Sequence, residues 1–133
     1  MDTFNALVIR KKWLDMILPK EDGTVLKTLE IRGCDCKRRG LILLVESGSG
    51  QIVGCAEIAD SAKLTKADFE KTALQHRVDI PYECLPYHAV YGWKLKNAKR
   101  FKEPVSYDHP KGAIRWVRVP ASDVLTKRLE EIH

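Results

Sequence analysis

The sequence is defined first by what it lacks. None of its apolar runs approaches the length that a bilayer-crossing helix needs. The start, MDTFNALVIRKKW, carries an acid at position 2 and only a short apolar run, so no secretory signal is expected. No internal repeat, linker or low-complexity tract interrupts the chain. Cysteine occurs four times, as Cys34, Cys36, Cys55 and Cys84. Without a signal, a disulfide framework is not expected. The Cys34-x-Cys36 spacing is shorter than the usual zinc pair, and no second Cys or His pair follows at the proper distance. We therefore expect no metal site and read the cysteines as reduced thiols, with Cys55 a small core residue in a strand. No phosphate-cradling glycine loop and no nucleophile elbow is present, and spacing assigns no histidine to a cysteine nucleophile. No cofactor is expected. A soluble, cytoplasmic protein with no membrane partner is the reading that remains.

What is present is ordinary in amount. The 133 residues are 44% hydrophobic and 31% charged, the composition of one folded domain covering 1–133. The net charge of +5 is a mild basic bias that permits an anionic partner, nucleic acid included. Lys37, Arg38 and Arg39 are consecutive. Lys94, Lys96, Lys99, Arg100 and Lys102 crowd a second stretch, and Lys111, Arg115 and Arg118 follow. Tyr87, Tyr91, Trp93 and Trp116 are interleaved with them. Cations on one surface with aromatics for unpaired bases suit a nucleic-acid strand. Core aromatics beneath a solvated lysine face give the same pattern.

Periodicity places the elements. FNALVI reads as a strand, and RKKWLDMIL follows at helical spacing, with Trp13 and Ile17 four apart, until Pro19 stops it. LKTLEIRG alternates and is the second strand. LILLVES is continuously apolar and reads as a central strand buried on both faces. Gly48 to Gly50 turn the chain into QIVGCAEIA, a hairpin. TKADFEKTALQHRV reads as one helix capped by Thr65, with Asp68 completing a capping box and His76 near its end, where the dipole mildly favours a cation. DIPYECLPYH, with two prolines and two tyrosines, is an irregular loop expected to cover one end of the fold. AVYGWKLK alternates, GAIRWVRV is a late strand, and YDHPKG between them makes a turn. ASDVLTKRLEEI is a terminal helix with Ser122 as its cap. Five or six strands joined mostly by turns, with about three helices, predict a mainly β, α+β chain: a small antiparallel barrel rather than a doubly wound sheet.

The segment KTLEIRG, Lys27 to Gly33, raises the functional question. In a regular strand Leu29 and Ile31 point one way, and Thr28, Glu30 and Arg32 the other. A carboxylate and a guanidinium on one face orient one another and suit a polar or phosphorylated ligand. The same parity turns Lys27 away unless the strand begins later or bulges. A solvated strand face fits the pattern as well.

ALVIRKKWLDMIL, KTLEIRG, AVYGWKLKNAKRF and a closing GAIRWV together resemble the ASCH domain family over roughly residues 4 to 119. The family signature is Gly-x-Lys-x-x-Glu-x-Arg. Lys27, Glu30 and Arg32 match its last three fixed positions, while Val25 stands at the glycine position and Gly23 lies two residues earlier. The resemblance implies a PUA-like β-barrel and a cleft beside it that binds RNA, another nucleic acid or a nucleotide-like small molecule. Arg10 and Trp13 at the helix start, Tyr91 and Trp93 on the late strand, and Asn97 after it are the implied cleft residues. They join Lys27, Thr28, Glu30 and Arg32, with Lys94 and Arg100 as the basic strand. Some members resemble amidohydrolases that deacylate N4-acetylcytidine with the motif's lysine and a threonine; here Glu30 stands at that threonine position. Others have been considered ribonucleases, in which Lys27 would stabilise a pentavalent phosphate and Glu30 move a proton. Three readings are open: a binding module, a hydrolase using Lys27 and Glu30, and a non-catalytic accessory module that binds a partner.

Overall fold

The structure, a computed structural model, describes residues 2–132. Its strands are β1 (Thr3–Ile9), β2 (Leu29–Arg32), β3 (Gly40–Glu46), β4 (Gln51–Lys63), β5 (Tyr91–Ser106) and β6 (Trp116–Pro120). The helices are α1 (Lys11–Ile17), α2 (Lys66–Lys71), α3 (Ala73–His76) and α4 (Asp123–Glu130), with a 3-10 turn at Tyr82–Cys84. All six strands form one sheet in the order β2-β5-β4-β3-β1-β6. Every pairing is antiparallel except β1 with β3, which the α1 crossover makes parallel. No helix among the described residues is long and apolar enough to cross a membrane.

Both faces of the sheet are covered, and β3 shows why its sequence is continuously apolar. Ile42 and Leu44 enter one core with Leu7, Ile9, Trp93, Leu95, the α1 residues Leu14 and Ile17, and Leu18 just after the helix. Leu43 and Val45 enter a second core on the opposite face with Ala6, Val8, Phe101, Val117 and Leu125 of α4. Cys55 is buried in this second core. A small third cluster seats Phe69 of α2 against Ile31 and Val90.

The expected barrel is not closed: β2 and β6 are free edges of the sheet. The sheet nevertheless curls. Register breaks along the long β4–β5 pair bend both strands, and Asn97 takes a left-handed backbone there (φ 53°). Gly54 lets the strands approach, since a Cβ on it would lie 2.3 Å from the Lys99 carbonyl. The curl brings the two ends of the sheet together without a backbone ladder. Trp93 of β5 stacks on Trp116 of β6 at 5.9 Å between ring centroids. Arg32 of β2 donates to the Val8 carbonyl of β1 at 3.3 Å. Side chains thus bridge an open seam between β2 and the β1–β6 edge.

Several boundaries differ from the sequence reading, each for a local reason. The second strand begins at Leu29 rather than Leu26, because the N–H groups of Leu26 and Lys27 both go to the Met16 carbonyl and that of Thr28 to Gln75. The helix predicted as one piece from Thr65 breaks at Thr72, whose hydroxyl bonds back to the Asp68 carbonyl. Its first half starts as expected, with Thr65 and Asp68 forming a capping box. The late strand starts at Trp116 rather than Gly112, and AVYGWKLK enters β5 only at Tyr91, the strand running on to Ser106.

Candidate functional site

The segment before β2 is the first determinant of the site. Three backbone hydrogen bonds, to Met16 and Gln75, hold residues 26–28 between the end of α1 and the end of α3. Arg77 closes α3 in a left-handed conformation (φ 59°), and its guanidinium donates to the Leu26 carbonyl at 2.8 Å. This irregular approach turns Lys27 onto the side that strand parity would deny it. Its ammonium is 1% exposed, donates to the His76 carbonyl at 2.5 Å, and lies 3.6 Å from Glu30 Oε1. It also sits 4.8 Å from the centre of the Trp13 ring.

Glu30 is 4% exposed and stands between two cations. Its Oε2 accepts from Arg32 Nε at 2.8 Å, and its Oε1 faces Lys27. Arg32 is held further by Val8 and by the Trp93 ring, 5.5 Å away. The Trp93 indole is itself fixed by donating to the Cys34 carbonyl at 2.9 Å. Burial lowers the Lys27 pKa below its ordinary value; the Glu30 charge opposes this and the Arg32 charge adds to it weakly.

His76 lies behind Lys27, fully buried rather than placed as a helix-end cation. Its Nδ1 accepts from the Val78 N–H at 2.9 Å and its Nε2 lies 2.8 Å from the Phe69 carbonyl. One nitrogen must accept and the other donate, so the ring is the neutral Nε2–H tautomer. Burial lowers its pKa, the Phe69 carbonyl opposes this, and the Lys27 charge reinforces it.

Lys27, Glu30 and Arg32 form the floor of a cavity of about 560 Å³ in the open seam. Val8, Ile9, Arg10 and Trp13 line one wall, and Val78, Ile80, Leu85, Pro86 and Tyr87 the other. Ser47 and Ile114 complete the rim. The guanidinium of Arg10 meets no carboxylate among the described residues. Three cations against one carboxylate give the cavity an uncompensated positive charge. Its volume is that of sites that enclose a small organic ligand. Among the described residues, no three His, Cys, Asp or Glu side chains gather as metal ligands do.

Of the residues singled out in the sequence, the structure brings Arg10, Trp13, Lys27, Glu30 and Arg32 into this cavity. Tyr91 and Trp93 lie behind it: they face Arg32 and Glu30 across the β2–β5 ladder, and Trp93 is buried. Thr28 is exposed and outside the cavity. Lys94 is exposed on β5, and Asn97 donates to Glu57 at 2.6 Å. Arg100 lines a separate surface depression with Lys20, Glu21 and Lys99. Of the far wall, only Tyr87 was singled out in the sequence, as one of the aromatics interleaved with the cations. The wall's one further signal was the proline- and tyrosine-rich DIPYECLPYH, which supplies Ile80, Leu85, Pro86 and Tyr87.

No protein-family model matches the sequence, and a search of curated proteins returns no match. Among solved structures, the chain superposes on an ASCH protein of Zymomonas mobilis, ZmASCH, determined as a serine-to-alanine variant. The TM-score is 0.61 and the identity 10%, over 96% of this chain and 94% of that one. This chain has the ASCH-domain fold. At that identity the likeness speaks for architecture: a PUA-like α+β fold, retained with its sheet unclosed. The site must be argued from its own residues.

Proposed function

We propose that this ASCH-fold protein binds an unpaired nucleotide, free or within RNA, in the seam cavity. The observation that carries the reading is the Lys27–Glu30–Arg32 floor, a buried ammonium and a part-buried guanidinium sharing one buried carboxylate beneath a partly open, net-positive space. Both Glu30 oxygens face cations, so the floor has little capacity left to accept. Lys27 has three N–H donors and one close acceptor, the His76 carbonyl. The floor therefore offers donors, and its complement is a ligand presenting oxygen acceptors, as a phosphate or a pyrimidine carbonyl does. Arg10 at the rim suits a phosphate. Tyr87, 37% exposed, offers a surface for a base.

The test is equilibrium binding of fluorescent oligouridine and oligoadenosine to the protein and to Lys27→Met, at two salt concentrations. Binding that weakens with salt and is lost in folded Lys27→Met supports the reading. Undiminished binding by that variant removes the cavity from the interaction.

One observation favours a hydrolase as the second reading. Lys27 is a buried cation with a lowered pKa beside a carboxylate, an arrangement that suits both proton transfer and stabilisation of a developing oxyanion. Incubation with RNA and with N4-acylated cytidines separates the two: product formation abolished by Lys27→Met supports hydrolysis, and retention without product supports binding alone.

A further inference from the structure

A second cavity of about 400 Å³ adjoins the first along the same seam. The two share Arg32, Pro86, Tyr87 and Ile114. Beyond that divider the second is lined by Gly33, Cys34, His88 and Arg115. Two side chains, Tyr87 and Ile114, form the divider. Tyr87 is held: its ring lies on Gly33, where a Cβ would come within 2.6 Å of Cδ1. Ile114, arriving from the loop before β6, is 84% exposed and stands at the mouth of both cavities.

The second cavity is also positive. Among the described residues the Arg115 guanidinium bonds only to the Cys34 thiol, its NH1 lying 3.0 Å from Sγ, and pairs with no carboxylate. Arg32 is common to both floors. The repeated unit is thus a concave space with an arginine, and Tyr87 with Ile114 stands between the two copies.

We propose that the seam is a two-nucleotide groove for single-stranded RNA. One nucleotide occupies the cavity over Lys27, its neighbour occupies the cavity beside Arg115, and the backbone crosses between Tyr87 and Ile114. The inference rests on the nucleotide reading of the first cavity and extends it from a mononucleotide to a strand.

Charge makes the distinction measurable. A nucleoside monophosphate carries a charge of about −1.5 to −2 at neutral pH, whereas a dinucleoside monophosphate carries one phosphodiester charge. A gain on passing from the first to the second cannot come from charge and reports contacts to the added nucleoside. Uridine 5′-monophosphate and UpU, with adenosine 5′-monophosphate and ApA, are titrated calorimetrically against the whole protein. The expected result is a dinucleotide at least about tenfold tighter than its mononucleotide, the size of one added base contact. In Arg115→Ala and His88→Ala this ratio, taken on the same protein sample and so independent of its folded fraction, falls toward one. Equal affinity of mono- and dinucleotide overturns the groove while leaving the first cavity a nucleotide site. A ratio that survives both substitutions also overturns it, by placing the second nucleoside elsewhere. No binding of any of the four probes removes the nucleotide reading and the groove together.

Discussion

Lys27 and His76, 49 residues apart in sequence, are joined by a single hydrogen bond from a buried ammonium to a backbone carbonyl. Around it the chain is pinned from three sides. The Met16 carbonyl at the end of α1 takes the Lys27 N–H, the Gln75 carbonyl takes that of Thr28, and Arg77 reaches back to Leu26. The neutral His76 ring anchors the same corner to Phe69 and Val78, and Val78 continues into the cavity wall. The position of the Lys27 charge is therefore set by the end of a four-residue helix as much as by β2.

That dependence makes acid the first way to loosen the site. The folded pKa of His76 lies below its ordinary value of 6.5. Between the two values the unfolded chain binds more protons than the folded one, so stability falls as pH drops through that interval and levels off beneath it. Protonation also removes the acceptor for the Val78 N–H and adds a cation behind Lys27. We expect the melting temperature to fall between pH 7 and pH 5, above the range in which ordinary carboxylates titrate. The fall should be visibly smaller in His76→Gln. Parallel pH profiles for the two proteins would exclude His76 as the source.

Glu30 and Lys27 should not be equivalent in stability. Glu30→Gln leaves the buried Lys27 ammonium and the part-buried Arg32 guanidinium facing one neutral amide, and breaking the buried Lys27–Glu30 pair in this way costs about 3–5 kcal/mol. Lys27→Met leaves Glu30 bonded to Arg32, removes an ammonium whose burial is itself unfavourable, and strands only the His76 carbonyl, a cost of about 1–3 kcal/mol. Urea denaturation of the two variants checks the order. Equal midpoints, or Lys27→Met the weaker, would mean that Glu30 draws its support from elsewhere.

The architecture was legible where local pattern decides it. The apolar LILLVES does become a strand, buried on both faces from Ile42 to Val45 though Leu41 is exposed, and the Thr65–Asp68 capping box is present. Curvature was not legible, because the register breaks of β4–β5 that bend the sheet leave no two-residue signature in the sequence. The floor was half legible. Alternation puts Glu30 and Arg32 on one face, but Lys27 joins them only through hydrogen bonds to Met16 and Gln75, which are tertiary. The Lys94 to Lys102 cluster was conspicuous in sequence and lies outside the cavity, since charge density along a strand does not say which end of the sheet it faces.

Gly33 governs the Tyr87 ring through sterics alone. An alanine Cβ there would lie 2.6 Å from one ring atom, closer than real contacts come, and a tight 3.1 Å from another, and Tyr87, 37% exposed, is the partner with room to give. Gly33→Ala should swing the ring off the divider with less than about 1 kcal/mol of lost stability, the size of an ordinary surface change. Oligonucleotide affinity should fall about tenfold, the loss of one base contact. Binding titration beside thermal melting separates the effects. Unchanged affinity with unchanged stability would show that the ring position does not matter to the ligand.

Salt dependence distinguishes the cavity from the basic strand. Arg10 lines the cavity without a carboxylate partner, whereas Lys94 and Arg100 lie outside it. Each phosphate contact contributes a slope of about −0.7 to log affinity against log salt for a single strand. Arg10→Ala should weaken a short oligonucleotide several-fold and make the slope shallower by about that amount. The double variant Lys94→Glu with Arg100→Glu should leave the affinity for the same short ligand within about twofold, the reduced net charge acting only at long range through screened solvent. The reverse outcome, a loss in the double variant with Arg10→Ala neutral, would move the binding surface from the seam to the outer face of β5.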